Sequence, residues 1–290
     1  SSMAPKNAME EYQHSSSPKV TPPSIATTLK EFLNRKTGLN FEKIVIGSND
    51  TCEGELAFCN SPEAEGHDQI GCVVDGTGFN FSTGEYNNEA GHYGGGENTL
   101  STSTVSQISL AQMGGGAMDV ECLCSGKIIG MDFLNAVRAL RYDPLIAKLE
   151  KMTDKKRVML AFQLAYSETE PDTKEERILE GIAKALVSRA SDALSKMLAA
   201  AHKAGFKGVF FGEGSLVRKE PAYVEDVNGQ IREYLKNPKL HDLLVVAPLP
   251  AKAANDTVEV DPDNIAASFV GLCMDAHAQG LQEFKKQIAQ

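Results

Sequence analysis

The feature that most constrains the fold is one long helical segment followed by short apolar runs in the second half of the chain. A capping box of Thr173 and Glu176 opens a helix that extends to about Ala204, and Gly205 ends it. A strand, a helix and a second strand are predicted next, over residues 208–212, 223–235 and 243–247. Strands separated by helices run parallel, so the sequence predicts an α/β domain.

The rest of the chain fits the same class, with the domain predicted over residues 23–290. Residues 1–22 are polar, lack an apolar period and are expected to form a flexible N-terminal segment. Further elements are predicted as helices over 24–37, 129–140 and 145–152, as strands over 43–47, 70–74 and 79–86, and as a last helix beginning at Asp261. The Gly-rich and Ser-rich stretch 87–118 is predicted to be a long surface loop or a pair of loops.

Charge and hydropathy exclude several classes of function. Lys and Arg number 29 against 39 Asp and Glu, and the net charge is −10, so nucleic acid is not an expected partner. The longest apolar stretch, 243–249, is far shorter than the roughly 20 residues of a membrane span. Six scattered cysteines favour reduced thiols over disulfides, and Cys122-x-Cys124 lacks the usual spacing of a metal site. We therefore expect a cytoplasmic protein with no metal bound by these thiols.

Polar turns near predicted strand ends are the candidates for chemistry, although each has an ordinary structural interpretation. Asp50 follows a strand and could be a general base, but Asn-Asp-Thr is also a common helix cap. The turn from Asp75 to Gly78 could hold phosphate through backbone N–H groups, yet its spacing alone favours a hairpin. Glu89 lies in a polar loop, where a solvated carboxylate is the default expectation.

The succession of these segments carries more information than any one of them. In chain order they are Ser48-Asn49-Asp50-Thr51, Asp75-Gly76-Thr77-Gly78-Phe79-Asn80, Glu89-Ala90-Gly91-His92-Tyr93-Gly94, Glu121-x-x-x-Ser125-Gly126-x-x-x-Gly130 with Arg138, and Ser188-Arg189-Ala190 with the later stretch Glu213-Gly214-Ser215 to Pro221. This series resembles the large C-terminal domain of the hexokinase family. The resemblance covers about residues 24–235.

The resemblance implies an actin-like ATPase fold of the ribonuclease-H type, a mixed sheet with flanking helices. It also implies a transferase, a kinase of glycolysis that uses ATP and Mg²⁺ to phosphorylate a hexose at its primary hydroxyl. Asp50 would be the catalytic base. The implied sugar ligands are Ser48, Asn49, Asn80, Glu89 and Glu121, and the residues implied near the nucleotide are Gly76, Thr77, Gly78, Gly214 and Ser215. Amides and carboxylates suit a sugar, whose hydroxyls need both donors and acceptors.

Some parts of the family pattern do not occur in this sequence. No D-x-G-G-T hairpin precedes residue 24, Ala90 replaces a Trp, and the stretch from Pro248 to Thr257 has no glycines where the family has several. The expectation is that the small N-terminal domain is absent and that a partner chain or self-association supplies the missing half-site. The alternatives are a non-catalytic sugar-binding or assembly subunit, and a related kinase for another small alcohol.

Overall fold

The computed structural model describes residues 30–36, 38, 54–55, 57–58, 61–76, 78–87, 92–94 and 120–247. Within these residues, five strands form one sheet: β1 (Gln69–Asp75), β2 (Phe79–Asn87), β3 (His92–Gly94), β4 (Val209–Glu213) and β5 (Leu244–Val245). Their order is β3-β2-β1-β4-β5. The pairs β1–β2 and β2–β3 are antiparallel, whereas β1–β4 and β4–β5 are parallel. The predicted α/β class and the parallel strands of the second half are confirmed.

Helices account for most of the described chain between the third and fifth strands. They are α1 (Glu121–Cys124), α2 (Gly126–Ala139), α3 (Asp143–Glu150), α4 (Asp154–Ala165), α5 (Lys174–Lys203), α6 (Ser215–Lys219) and α7 (Pro221–Leu235). Residues 30–36 are also helical, within the helix predicted over 24–37. The predicted strand 43–47 and the last helix lie outside the described residues. The short strand β3 falls inside the stretch 87–118, so the prediction of loop throughout that stretch is wrong.

The capping box predicted for the longest helix is present. The Thr173 hydroxyl accepts a hydrogen bond from the Glu176 N–H, and the Glu176 carboxylate accepts one from the Thr173 N–H. Gly205, at φ +117°, follows the helix end, where a left-handed residue is favourable. Near the start of α5, Leu179 and Ala183 are buried in the core and Ile178 is partly buried.

The core occupies both faces of the sheet. On one face, Val73 and Phe210 pack against the helices in the larger apolar cluster. On the other face, Phe211 stacks on Phe58 with ring centroids 4.6 Å apart, next to Ile70. Successive residues of a strand alternate between faces, so Asp75 is on the helical face of the sheet and Glu213 is on the opposite face. None of the described helices is long and apolar enough to cross a membrane.

The sequence patterns did not indicate α4, and a buried arginine explains why. The helix starts with the charged run Asp154 to Arg157, which hides its apolar period. Arg157 nevertheless points into the core, where its guanidinium donates to the carbonyls of Gly130, Leu149 and Met152 at 3.1, 3.0 and 2.7 Å. It also forms an ion pair with Asp154. This side chain ties together α2, the end of α3 and α4.

Replacing Arg157 by Met should destabilise the protein by about 2–4 kcal/mol, because three buried carbonyls lose their donor. Urea denaturation of the wild type and the variant measures this loss. The matched control is Arg177→Met, at an exposed arginine of α5, which should change stability by less than about 0.5 kcal/mol. Equal effects of the two substitutions would contradict the role given to Arg157.

Candidate active site

The turn between β1 and β2 is held from both sides by backbone hydrogen bonds. The N–H of Gly76 donates to the carbonyl of Gly78 at 3.0 Å, and the carbonyl of Gly76 accepts from the N–H of Gly126 at 2.7 Å. Both backbone groups of Gly76 are therefore used within the protein. Backbone donors for a phosphate at this turn have to come from positions beyond Gly76.

The start of α2 lies directly against this turn. A Cβ atom on Gly126 would lie 2.5 Å from the carbonyl oxygen of Gly76, which is closer than real Cβ contacts. Just before it, the half-buried Glu121 of α1 accepts a hydrogen bond at Oε1 from the N–H of Phe79 at 3.4 Å. A Cβ on Gly78 would lie 3.3 Å from the same oxygen. Glycines at the turn and at the helix start make this approach possible.

The loop after β4 meets the same turn from the other side. The parallel register places Val74 beside Glu213, so the carboxyl ends of β1 and β4 are neighbours. Gly214 has φ +92°, and a Cβ there would lie 2.3 Å from the carbonyl oxygen of Asp75. A Cβ on Gly76 would lie 3.8 Å from both the Cα of Gly214 and the N of Ser215. Three separate segments thus converge at one edge of the sheet.

Two acidic side chains at this edge form contacts within the protein. Glu213 forms an ion pair with Arg218 of α6. Asp75 is fully buried, and its Oδ2 accepts a hydrogen bond from the hydroxyl of Tyr223 at 3.3 Å. Burial raises the pKa of the Asp75 carboxyl well above its usual value, although the Tyr223 hydrogen bond acts in the opposite direction. Burial therefore favours the protonated form of Asp75.

No protein-family model and no curated protein matches the sequence. Among solved structures it is similar to a ROK hexokinase from Thermus thermophilus, with a TM-score of 0.54, 20% identity and coverage of 88% of this chain and 70% of that one. A ROK family glucokinase from Streptomyces griseus, solved with glucose and AMPPNP, gives a TM-score of 0.52 at 16% identity, covering 84% and 70%.

A more distant likeness is to the hexokinase from Schistosoma mansoni, solved with glucose, at a TM-score of 0.50 and 13% identity. That match covers 85% of this chain and 61% of the other. The chain shares the fold of these sugar kinases. At such low identities the likeness is one of fold.

The structure brings together five of the residues that the resemblance assigned to a site: Gly76, Gly78, Glu121, Gly214 and Ser215. Asn80 is the second residue of β2 and pairs with Val74 of β1. Ser48, Asn49, Asp50, Thr77 and Glu89 lie outside the described residues, so their roles stay predictions. The burial of Asp75 was not foreseen, because its partner Tyr223 is 148 positions away in sequence.

Several other positions of the matched segments have structural contacts. Gly130 lets α4 approach α2, since a Cβ there would lie 2.9 Å from the carbonyl oxygen of Asp154. Arg189 of α5 forms an ion pair with Asp132 of α2 at 2.7 Å. Arg138, near the end of α2, pairs with Glu150 of α3 at 2.7 Å. These contacts fix the helix α2 whose start supports the turn.

Replacing Gly126 by Ala should destabilise the protein by about 1–3 kcal/mol, because the added methyl group displaces the turn at Gly76. The matched control is Gly181→Ala in α5, where a Cβ meets no atom within 4 Å. That change should stabilise the helix by about 0.4–1 kcal/mol. Urea denaturation compares the two alanine variants, and a neutral or stabilising Gly126→Ala would contradict the packing described.

Proposed function

We propose that the protein is a hexokinase-type sugar kinase, which transfers the γ-phosphoryl group of ATP to the primary hydroxyl of a hexose on an actin-like α/β domain. The observation that carries the proposal is the convergence of the turn at Gly76, the start of α2 and the loop at Gly214. They meet at the carboxyl ends of two parallel strands, the edge at which open α/β sheets bind ligands. The shared fold of sugar kinases supports the same function.

The proposed sugar site is built from hydrogen-bonding side chains on neighbouring segments. Glu121 lies beside the turn, where its carboxylate already accepts from the N–H of Phe79. A carboxylate has room for several donors, so Glu121 can also accept from a sugar hydroxyl. By the resemblance, Ser48, Asn49, Asn80 and Glu89 complete the site. A ligand without hydroxyls would leave these groups unpaired, which gives the site its selectivity.

The proposed nucleotide site uses backbone more than side chains. Gly76, Thr77, Gly78, Gly214 and Ser215 are the assigned residues, and Gly76 acts by shaping the turn because its own N–H and carbonyl are engaged. The close packing of Gly76 and Gly214 fits a narrow cradle for phosphate oxygens. Among the described acids here, Asp75 is buried and Glu213 is paired with Arg218. Mg²⁺ therefore enters the proposal as the ion that ATP brings with it.

The proposed chemistry is an in-line displacement at phosphorus. Asp50 takes the proton from the hexose hydroxyl as its oxygen forms a bond to the γ-phosphorus, and the bond from that phosphorus to the bridging oxygen of ADP breaks. The described residues supply positioning and charge balance. The sequence contains no D-x-G-G-T segment, so in the proposal that part of the cleft comes from outside these residues.

Replacing Asp50 by Asn should lower kcat by roughly 10²–10⁴-fold, because the amide cannot take the hydroxyl proton. The affinity for the hexose should stay within about threefold, since the amide keeps a similar shape. The measurements are ATP-dependent phosphorylation of a panel of hexoses and calorimetric titration of the sugar. The control Asp172→Asn, at an exposed carboxylate before α5, should keep the wild-type kcat. Unchanged turnover in Asp50→Asn would refute the assignment of the base.

The second candidate is a non-catalytic sugar-binding or assembly subunit of the same fold. It is favoured by the engagement of Gly76, Asp75 and Glu213 in internal contacts, which leaves few described groups to contact Mg·ATP. The same experiment separates the two candidates. Hexose binding without phosphorylation, also after addition of a co-purifying D-x-G-G-T protein, would favour the binding subunit.

A further inference from the structure

Asp75 has a fully buried carboxyl group that the proposed reaction does not use. It is the last residue of β1 and comes directly before the glycine turn. Its Oδ2 accepts from the Tyr223 hydroxyl on α7, whereas its Oδ1 has no hydrogen-bond partner among the described residues. Burying a carboxyl group with only one of its two oxygens hydrogen-bonded costs free energy, so its presence calls for an explanation.

The backbone of Asp75 is in close contact with Gly214. Gly214 packs so closely on it that a Cβ there would lie 2.3 Å from the Asp75 carbonyl oxygen, 2.6 Å from its carbonyl carbon and 3.0 Å from its nitrogen. The turn after β1 and the loop after β4 are thus in contact through this one residue. The side chain of Asp75 anchors this contact to α7 through Tyr223.

The surroundings of Asp75 decide which form of the acid is present. Asp75 and Tyr223 form a hydrogen-bonded pair. The other groups that act on Tyr223 are the Cys124 thiol from α1 and the Tyr166 hydroxyl at the end of α4. Burial raises the pKa of both tyrosine hydroxyls, which favours their neutral forms. Asp226 and Glu220 lie farther out, beside Tyr166. Burial raises the pKa of both Asp75 and Tyr223, so neither ionises readily.

We propose that Asp75 is a positioning residue, which fixes the turn at Gly76 and the loop at Gly214 relative to each other through its hydrogen bond with Tyr223. The inference rests on the proposed function, because those two loops are the ones assigned to the phosphates of ATP. A neutral acid serves this role better than a carboxylate, since a negative charge under the loops would repel the phosphates.

The first test needs no enzymatic activity. Because burial raises the pKa of Asp75, the contribution of this group to stability is greatest below about pH 4, where the unfolded chain also binds the proton, and is lost as the pH rises toward the folded-state pKa. Asp75→Asn carries no titrating group there. The melting temperature of the Asn variant should therefore rise relative to the wild type between about pH 5 and about pH 8. If the melting temperature of the Asn variant minus that of the wild type stays constant or decreases over this pH range, Asp75 is not a neutral acid in the folded protein.

The second test measures positioning through the ATP site. Asp75→Ala, which removes the anchor, should raise the KM and Kd for ATP on the order of tenfold and change the hexose affinity less. Asp75→Asn should rescue most of that loss, and Tyr223→Phe should reproduce part of it. Val227→Ala, a buried change on the same helix, controls for general loosening and should leave the ATP affinity near the wild-type value.

The outcomes separate this inference from the proposed function. Normal turnover with the same ATP affinity in Asp75→Ala, or an equal loss in Val227→Ala, overturns the positioning role and leaves the kinase proposal intact. A wild type that binds ATP but phosphorylates no hexose, also after addition of a co-purifying D-x-G-G-T protein, refutes the kinase, and the ATP affinities of the Asp75 variants then decide the inference. A wild type that binds no ATP overturns both, whatever the melting curves show.

Discussion

The parallel pairing of β1 with β4 is the interaction on which the candidate site depends. Residues about 140 positions apart are joined along five register pairs, from Ile70 with Val209 to Val74 with Glu213. Because both strands point the same way, the turn that follows one and the loop that follows the other emerge at the same edge. A shift of one residue in this register would separate Asp75 from Gly214 and turn the side chains of β4 to the opposite face.

Close approach at this edge is made possible by missing side chains. Gly126 allows α2 to begin on the turn, Gly214 allows the loop after β4 to lie on Asp75, and Gly212 leaves room for Val217 of α6. At each of these glycines a Cβ atom would lie within 2.6 Å of a neighbouring atom, so alanine requires the neighbour to move. The glycines of the matched segments therefore reflect packing between segments as well as contact with a ligand.

The sequence predicts those features that depend on neighbours in the chain. The cap at Thr173, the end at Gly205, the strand β1 and the parallel strands of the second half all follow from local pattern. The helix α4 does not, because its one buried charge, Arg157, is satisfied by carbonyls of α2 and α3. The state of Asp75 depends in the same way on Tyr223, a distant residue that no local pattern connects to it.

Charge is the condition that ties these findings together. A chain with a net charge of −10 has to bind an anionic nucleotide, in the proposed function, at an edge where acids are concentrated. The structure lowers the local negative charge in separate ways: burial raises the pKa of Asp75 and so favours its neutral form, and Arg218 balances Glu213. In the proposed function, Glu121, which is half-buried and accepts from the N–H of Phe79, offers acceptor oxygens to the sugar hydroxyls. Each acid thus has contacts that fit the place which the proposal gives it, and the proposed division between a phosphate side and a sugar side rests on those contacts.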